Sequence, residues 1–157
     1  QAYGARMDPP AAMEKVVADG RKGRKNGRGL YTYEKGHKKG VDASVYGLLP
    51  PPQAGDKGGR RELEPREAQD RLVFAFLNEA VLCLQEGILR SPRDGDVGAI
   101  FGLGFPAFLG GPFRYLDRLG AGFAAEVLDG LRARHGERFK PARMLVEMAR
   151  DGKSFHA

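Results

Sequence analysis

Between Arg66 and Glu86 apolar side chains recur at the spacing of a helix: Leu72, Val73, Phe76, Leu77, Ala80, Val81 and Leu84, with Ile88 just beyond. Pro65 stands before the run and Gly87 offers a C-cap after it. The stripe is too wide to be covered by one neighbour, so this helix is expected to meet apolar partners on more than one side. A helix of this length persists only when such partners hold it. The chain around it must therefore supply a helical core.

The residues that follow supply one. Ser91-Pro92-Arg93-Asp94 combines a capping hydroxyl, a proline at the first helical position and an acidic group near the helix N-terminus. It predicts a helix running to about Phe101 despite Gly95 and Gly98, two glycines that suggest close packing against another backbone. The stretch 102–112 sets Leu103, Phe105, Phe108 and Leu109 among glycines and prolines, a loop with core or interface residues. Pro112 opens a short helix with Phe113, Leu116 and Leu119, which Gly120 stops. Further helices are expected over about 122–134, with Phe123, Val127, Leu128 and Leu131, and from Pro141, with Met144, Leu145 and Met148. The fold class is all-α: a compact helical domain over residues 66–157, without a sheet signal.

The preceding residues differ in character. A short helix is expected over 10–19 from the spacing of Met13, Val16 and Val17, and Leu30–Tyr33 reads as a short extended piece. Residues 1–60 carry 12 Lys and Arg against 6 Asp and Glu, whereas residues 61–157 carry 14 of each, so the net charge of +6 belongs to the first part. A glycine-rich basic arm, solvated or lying near phosphates or an acidic partner, is the expectation. A linker is expected over 51–65, where proline, glycine and lysine leave little to bury.

Sites of chemistry are scarce. No GxGxxG follows a strand, and no GxxxxGK[ST] phosphate loop occurs. Gly23, Gly27 and Gly29 read as turn residues, with an anion held by their amides as the alternative. His37, His135 and His156 lie far apart, without carboxylate or cysteine at ligand spacing, so no metal site is expected. Cys83 reads as a small buried hydrophobe. Asp94 and Asp96 read as capping and dipole residues of their own helix rather than as a catalytic pair. Asn78 and Glu79 either face outward, or Glu79 makes a buried bond in the bundle. The loop at 101–113 is the best candidate for an interaction surface. No apolar run has the length of a membrane span, no signal peptide opens the chain, and its start at Gln1 fits a piece of a longer protein.

Two long stretches, DRLVFAFLNEAVLCLQEGI at 70–88 and DGDVGAIFGLGFPAFLGGPFRYLDRLGA at 94–121, resemble the C-terminal helical repeat of 3-hydroxyacyl-CoA dehydrogenases of the multifunctional fatty-oxidation type. The positions that carry the resemblance are Arg71, Glu79-Ala80, Asp96 with Gly102, Gly104 and Pro106, Gly111-Pro112-Phe113, Asp117 and Gly120. GRKGRKNGRGLYTY at 20–33 resembles the end of a preceding repeat, through Gly27, Gly29, Leu30 and Tyr33, with leucine where the family commonly has phenylalanine.

The resemblance implies that residues 1–50 are the tail of a first helical repeat and that 66–157 form a second one. It implies NAD-dependent oxidation of 3-hydroxyacyl-CoA in fatty acid β-oxidation for the parent protein. The catalytic histidine and glutamate are expected in a Rossmann domain outside these residues, so the chain alone is expected to be inactive and to bind no cofactor. Asp70, before Arg71, stands where the catalytic repeat has asparagine, which implies a non-catalytic copy. Expected partners are the Rossmann domain and first repeat of the same protein, the acyl-CoA substrate and a thiolase subunit, in bacterial cytoplasm or a mitochondrial matrix. Domain packing is expected of Arg71, Glu79, Phe105, Phe108, Leu109 and Phe113, and contact with CoA phosphates of Arg21, Lys22, Arg24, Lys25 and Arg28. The rival readings are a stand-alone assembly domain and a nucleic-acid-binding module at 21–39 with Tyr31 and Tyr33 as stacking groups. The second lacks a recognisable binding-sheet motif, and no nucleic-acid partner is expected.

Overall fold

The computed structural model describes residues 8–49 and 63–156. The chain divides into two compact units, residues 1–62 and 63–157. The linker expected over 51–65 lies outside the described residues up to residue 62, and Pro65 already opens a helix.

In the first unit, helix α1 (Ala11–Ala18) buries Val16 and leaves Val17 exposed. Strands β1 (Tyr31–Glu34) and β2 (His37–Val41) form an antiparallel hairpin, and a 3-10 turn at Ala43–Gly47 buries Val45. Lys35, at φ 49°, and Gly36, at φ 78°, make the hairpin turn, where two left-handed residues match the twist of the strands. The expected extended piece at 30–33 is thus one arm of a hairpin. Its partner, His37–Val41, is exposed throughout and has no apolar alternation to reveal it.

The basic segment between α1 and β1 is organised around Arg21 rather than loose. The Arg21 side chain is 1% exposed. Its guanidinium donates to Asp19 Oδ2 at 2.9 Å, to the Gly29 carbonyl at 2.7 Å, to Asp42 Oδ2 at 2.8 Å and to Ser44 Oγ at 2.6 Å. A buried planar fork with every partner in place is the arrangement that makes a buried arginine tolerable. It ties the end of α1, the lead into β1 and the start of the 3-10 turn to one another.

The second unit is helical: α2 (Pro65–Gln85), α3 (Pro92–Leu103), α4 (Pro112–Leu119), α5 (Ala121–His135) and α6 (Arg143–Asp151), with 3-10 turns at Ala107–Leu109 and Glu137–Phe139. Its core gathers Phe74, Leu77, Val81, Phe113, Leu116, Ala124, Leu128, Leu131, Phe139, Ala142 and Leu145. The Ser91 hydroxyl accepts from Asp94 N and starts α3, as its sequence foretells.

On α2 the buried polar residue is Asn78. Its Nδ2 donates to the Lys140 carbonyl at 2.9 Å, and its Oδ1 accepts from Ala142 N at 2.8 Å. Gln85 Oε1 accepts from Met144 N at 2.9 Å. Ala142 caps α6 without a side-chain bond of its own, so two amides of α2 satisfy donors that a helix start leaves open.

Candidate functional site

The long helix is apolar on two sides, and only one of them is core. Phe74, Leu77 and Val81 are buried with Asn78, whereas Leu72 is 75% exposed and Val73 and Phe76 are also uncovered. On α3, Ala99 points inward while Val97 and Phe101, one turn apart, point outward. Phe101 is 85%, Leu103 72% and Phe108 83% exposed. The two outward stripes meet where Phe76 stacks on Phe105, ring centroids 5.7 Å apart and planes at 24°. Four large apolar side chains at such exposure, joined through a stacked aromatic pair, form a face of the kind that proteins use for association.

The loop on this face is braced from beneath by Asp96. This carboxylate is buried, at 4% exposure, and does not cap its own helix. Its Oδ1 accepts from Phe113 N at 2.7 Å. Helix α4 begins with Pro112, which has no amide hydrogen, after Gly111, which has no side chain to cap with. Phe113 N is therefore the first open donor of α4, and Asp96 fills it across 17 residues while placing a negative charge at a helix N-terminus. The fit requires glycine at position 111: φ is +105°, and a Cβ there would come 2.4 Å from Asp96. On its other oxygen Asp96 meets His156 Nε2 at 2.8 Å.

The residues expected to pack against another domain differ in their burial. Phe108 is exposed, Phe105 half-buried against Phe76, and Arg71, Glu79 and Leu109 half-buried. Phe113, expected to pack against another domain, is wholly inside its own unit at 0% exposure. Its ring fills the space that a Cβ on Gly95 would take, 2.4 Å away, and lies against Phe155. Gly95 thus makes room for a ring and not for a backbone, and Gly98 faces open space. Asp96 caps α4 instead of α3, and Asn78, read from sequence as facing outward, is buried and bonded to the segment before α6. His135 and His156 come to 3.3 Å from Glu67 and 2.8 Å from Asp96, carboxylates 68 and 60 residues away in sequence.

In the first unit, Arg21 is withdrawn from the set of phosphate contacts because its donors are directed inward. Arg28 is half-exposed and pairs with Asp19 at 3.2 Å and Asp42 at 3.5 Å. Lys22, Arg24 and Lys25 are exposed. The Ser44 hydroxyl and then the Arg21 guanidinium hold the Asp42 carboxyl down at about 2, from 3.8. Among the described residues no group of His, Cys, Asp and Glu could hold a metal ion, and no helix is long and apolar enough to cross a membrane.

Fold and face together define a small all-helical domain with an uncovered aromatic surface, preceded by a basic hairpin unit. Residues 68–155 match the family described as 3-hydroxyacyl-CoA dehydrogenase, C-terminal domain, and the chain belongs to that family. It is 54% identical over 156 residues to a protein named fatty acid oxidation complex subunit alpha from Shewanella amazonensis, covering 98% of this chain and 21% of that protein. A protein of the same name from Shewanella loihica is 53% identical over 154 residues, with the same coverage. The chain spans about a fifth (21%) of the length of the curated relatives it matches.

Proposed function

We propose that the chain is the C-terminal helical part of an NAD-dependent 3-hydroxyacyl-CoA dehydrogenase of fatty acid β-oxidation, and that it supports the substrate-binding repeat by docking against it. The observation that carries this reading is the uncovered face of Leu72, Phe76, Phe101, Leu103 and Phe108 in a domain of this family. Covering that face with a helical neighbour removes aromatic surface from water and leaves the internal core of α2 to α6 untouched.

The residues described do not fit NAD. A dinucleotide needs a glycine loop leading from a parallel strand into a helix N-terminus. The one sheet among the described residues is a two-stranded antiparallel hairpin. In this reading the nicotinamide, the base and its orienting carboxylate belong to a Rossmann domain in the rest of the protein, and the 157 residues alone turn over no substrate. Lys22, Arg24 and Lys25 are the candidates for contact with CoA phosphates, as exposed cations without a structural bond to replace. The relatives are named as subunits of a complex and come from bacteria, which supports a second subunit and a cytoplasmic setting; in this reading that subunit is of the thiolase type.

The test is acetoacetyl-CoA-dependent oxidation of NADH by the purified chain alone and mixed with the remaining portion of the protein. Activity that needs both supports the reading. Activity of the chain alone contradicts it. So does an undiminished rate from the remaining portion without the chain.

A further inference from the structure

We propose that the C-terminal tail of this chain is a latch, in which His156 acts through Asp96 to position the loop between α3 and α4 and so the aromatic docking face. The inference rests on the docking reading for its consequence, but the latch itself is a property of the domain.

Three contacts define the tail. Asp117, on α4, accepts from Phe155 N at 2.7 Å through Oδ1 and from His156 N at 2.9 Å through Oδ2. The Phe155 ring lies against Phe113 with centroids 5.0 Å apart. His156 Nε2 then reaches Asp96 Oδ2 at 2.8 Å. One carboxylate thus fixes the tail backbone, an aromatic contact fixes its depth, and the imidazole is delivered to the second carboxylate.

Asp96 is where the tail can act on the loop. The loop leaves α3 at Gly104, in the left-handed conformation, and rejoins the core at Gly111, pressed against Asp96. Between these points it carries Phe105 and Phe108. Its second anchor is the bond from Phe113 N to Asp96 Oδ1, and Asp96 is 4% exposed. A buried carboxylate left with one hydrogen bond is costly and shifts to find others. His156 supplies the second bond, with a side chain 14% exposed. Its ring acts on the loop through Asp96, so it is a positioning residue for the face. The carboxylates that meet it are Asp96 from α3 and Asp117 from α4, while Lys153 on the same tail is paired with Asp151.

The test follows amide hydrogen exchange at 105–111 and docking in the full-length protein. Replacing His156→Ala is expected to speed exchange in this loop about tenfold or more, with the α5 core amides unchanged, and to weaken docking. His156→Gln keeps a donor for Asp96 and is expected to restore slow exchange. In an Asp96→Asn background, His156→Ala should add nothing further. Loop exchange that stays within about twofold of the parent overturns the latch, and so does equal acceleration in α5, which would make His156 merely structural. Faster loop exchange with docking unchanged overturns its link to the face. If Phe101→Ser also leaves docking unchanged, the docking reading itself has failed, whereas loop exchange still reports on the latch.

Discussion

Asn78 holds the backbone on both sides of Pro141, giving a hydrogen bond to the Lys140 carbonyl and taking one from Ala142 N, across 62 and 64 residues of chain. Asn78→Ala leaves the buried Ala142 N–H and the part-buried Lys140 carbonyl without this partner, and we expect a loss of about 1–3 kcal/mol in urea unfolding of the chain. Asn78→Asp keeps the acceptor but not the donor and should also destabilise. An unchanged midpoint for both would show that water replaces the side chain at no cost.

Two glycine substitutions should act with opposite sign. Gly111→Ala sets a Cβ 2.4 Å from Asp96 at a φ of +105°, and is expected to cost about 3 kcal/mol or more. Gly98→Ala meets nothing within 4 Å inside α3 and should stabilise the isolated chain by about 0.5–1 kcal/mol. Thermal unfolding of the two variants beside the parent decides the matter.

The first unit should lose stability in acid for a reason that can be assigned. The folded Asp42 carboxyl is depressed from 3.8 to about 2, so its contribution is fully present above the unfolded value and disappears as pH falls through the folded one. Stability of this unit should therefore fall between about pH 4 and pH 2, and Asp42→Asn should abolish that dependence. Removing the largest cause, by Ser44→Ala, should move the Asp42 titration up toward 3.8, as read from its carboxyl carbon by NMR.

Neighbouring cations of the basic segment should behave differently. Arg21→Ala removes the side-chain partner of the buried Gly29 carbonyl and one of several partners of Asp42, and should destabilise the unit and collapse the hairpin signals. Changing Lys22, Arg24 and Lys25 together to Gln should leave those signals in place. In the full-length protein it should raise KM for the CoA substrate, most at low salt, without changing kcat. An unaltered KM would remove CoA contact from the account of this segment.

The helices of the second unit could be read from the sequence because period, proline starts and glycine stops agree along it. The periodicity of α2 could not tell which apolar side was core. Leu72, Val73 and Phe76 satisfy it as well as Leu77 and Val81, yet the first three are uncovered and Phe74 lies inside. Strand β2 stayed hidden because His37–Val41 buries nothing. Arg21 looked like its solvated neighbours because its partner Asp42 lies 21 residues away. The meeting of Asp96 with His156 spans 60 residues, and only the fold brings it about. What local patterning cannot carry is the pairing of distant polar groups, and the site depends on such pairs.

In the proposed function the aromatic face docks on the rest of the protein. Phe101 and Phe108 test it most directly, because at 85% and 83% exposure they contribute little to the core. The measurement is the affinity between the purified remaining portion of the protein and this chain carrying Phe101→Ser and Phe108→Ser. We expect an unchanged melting temperature and binding weakened by about 30-fold or more. Binding equal to that of the parent chain would contradict the account.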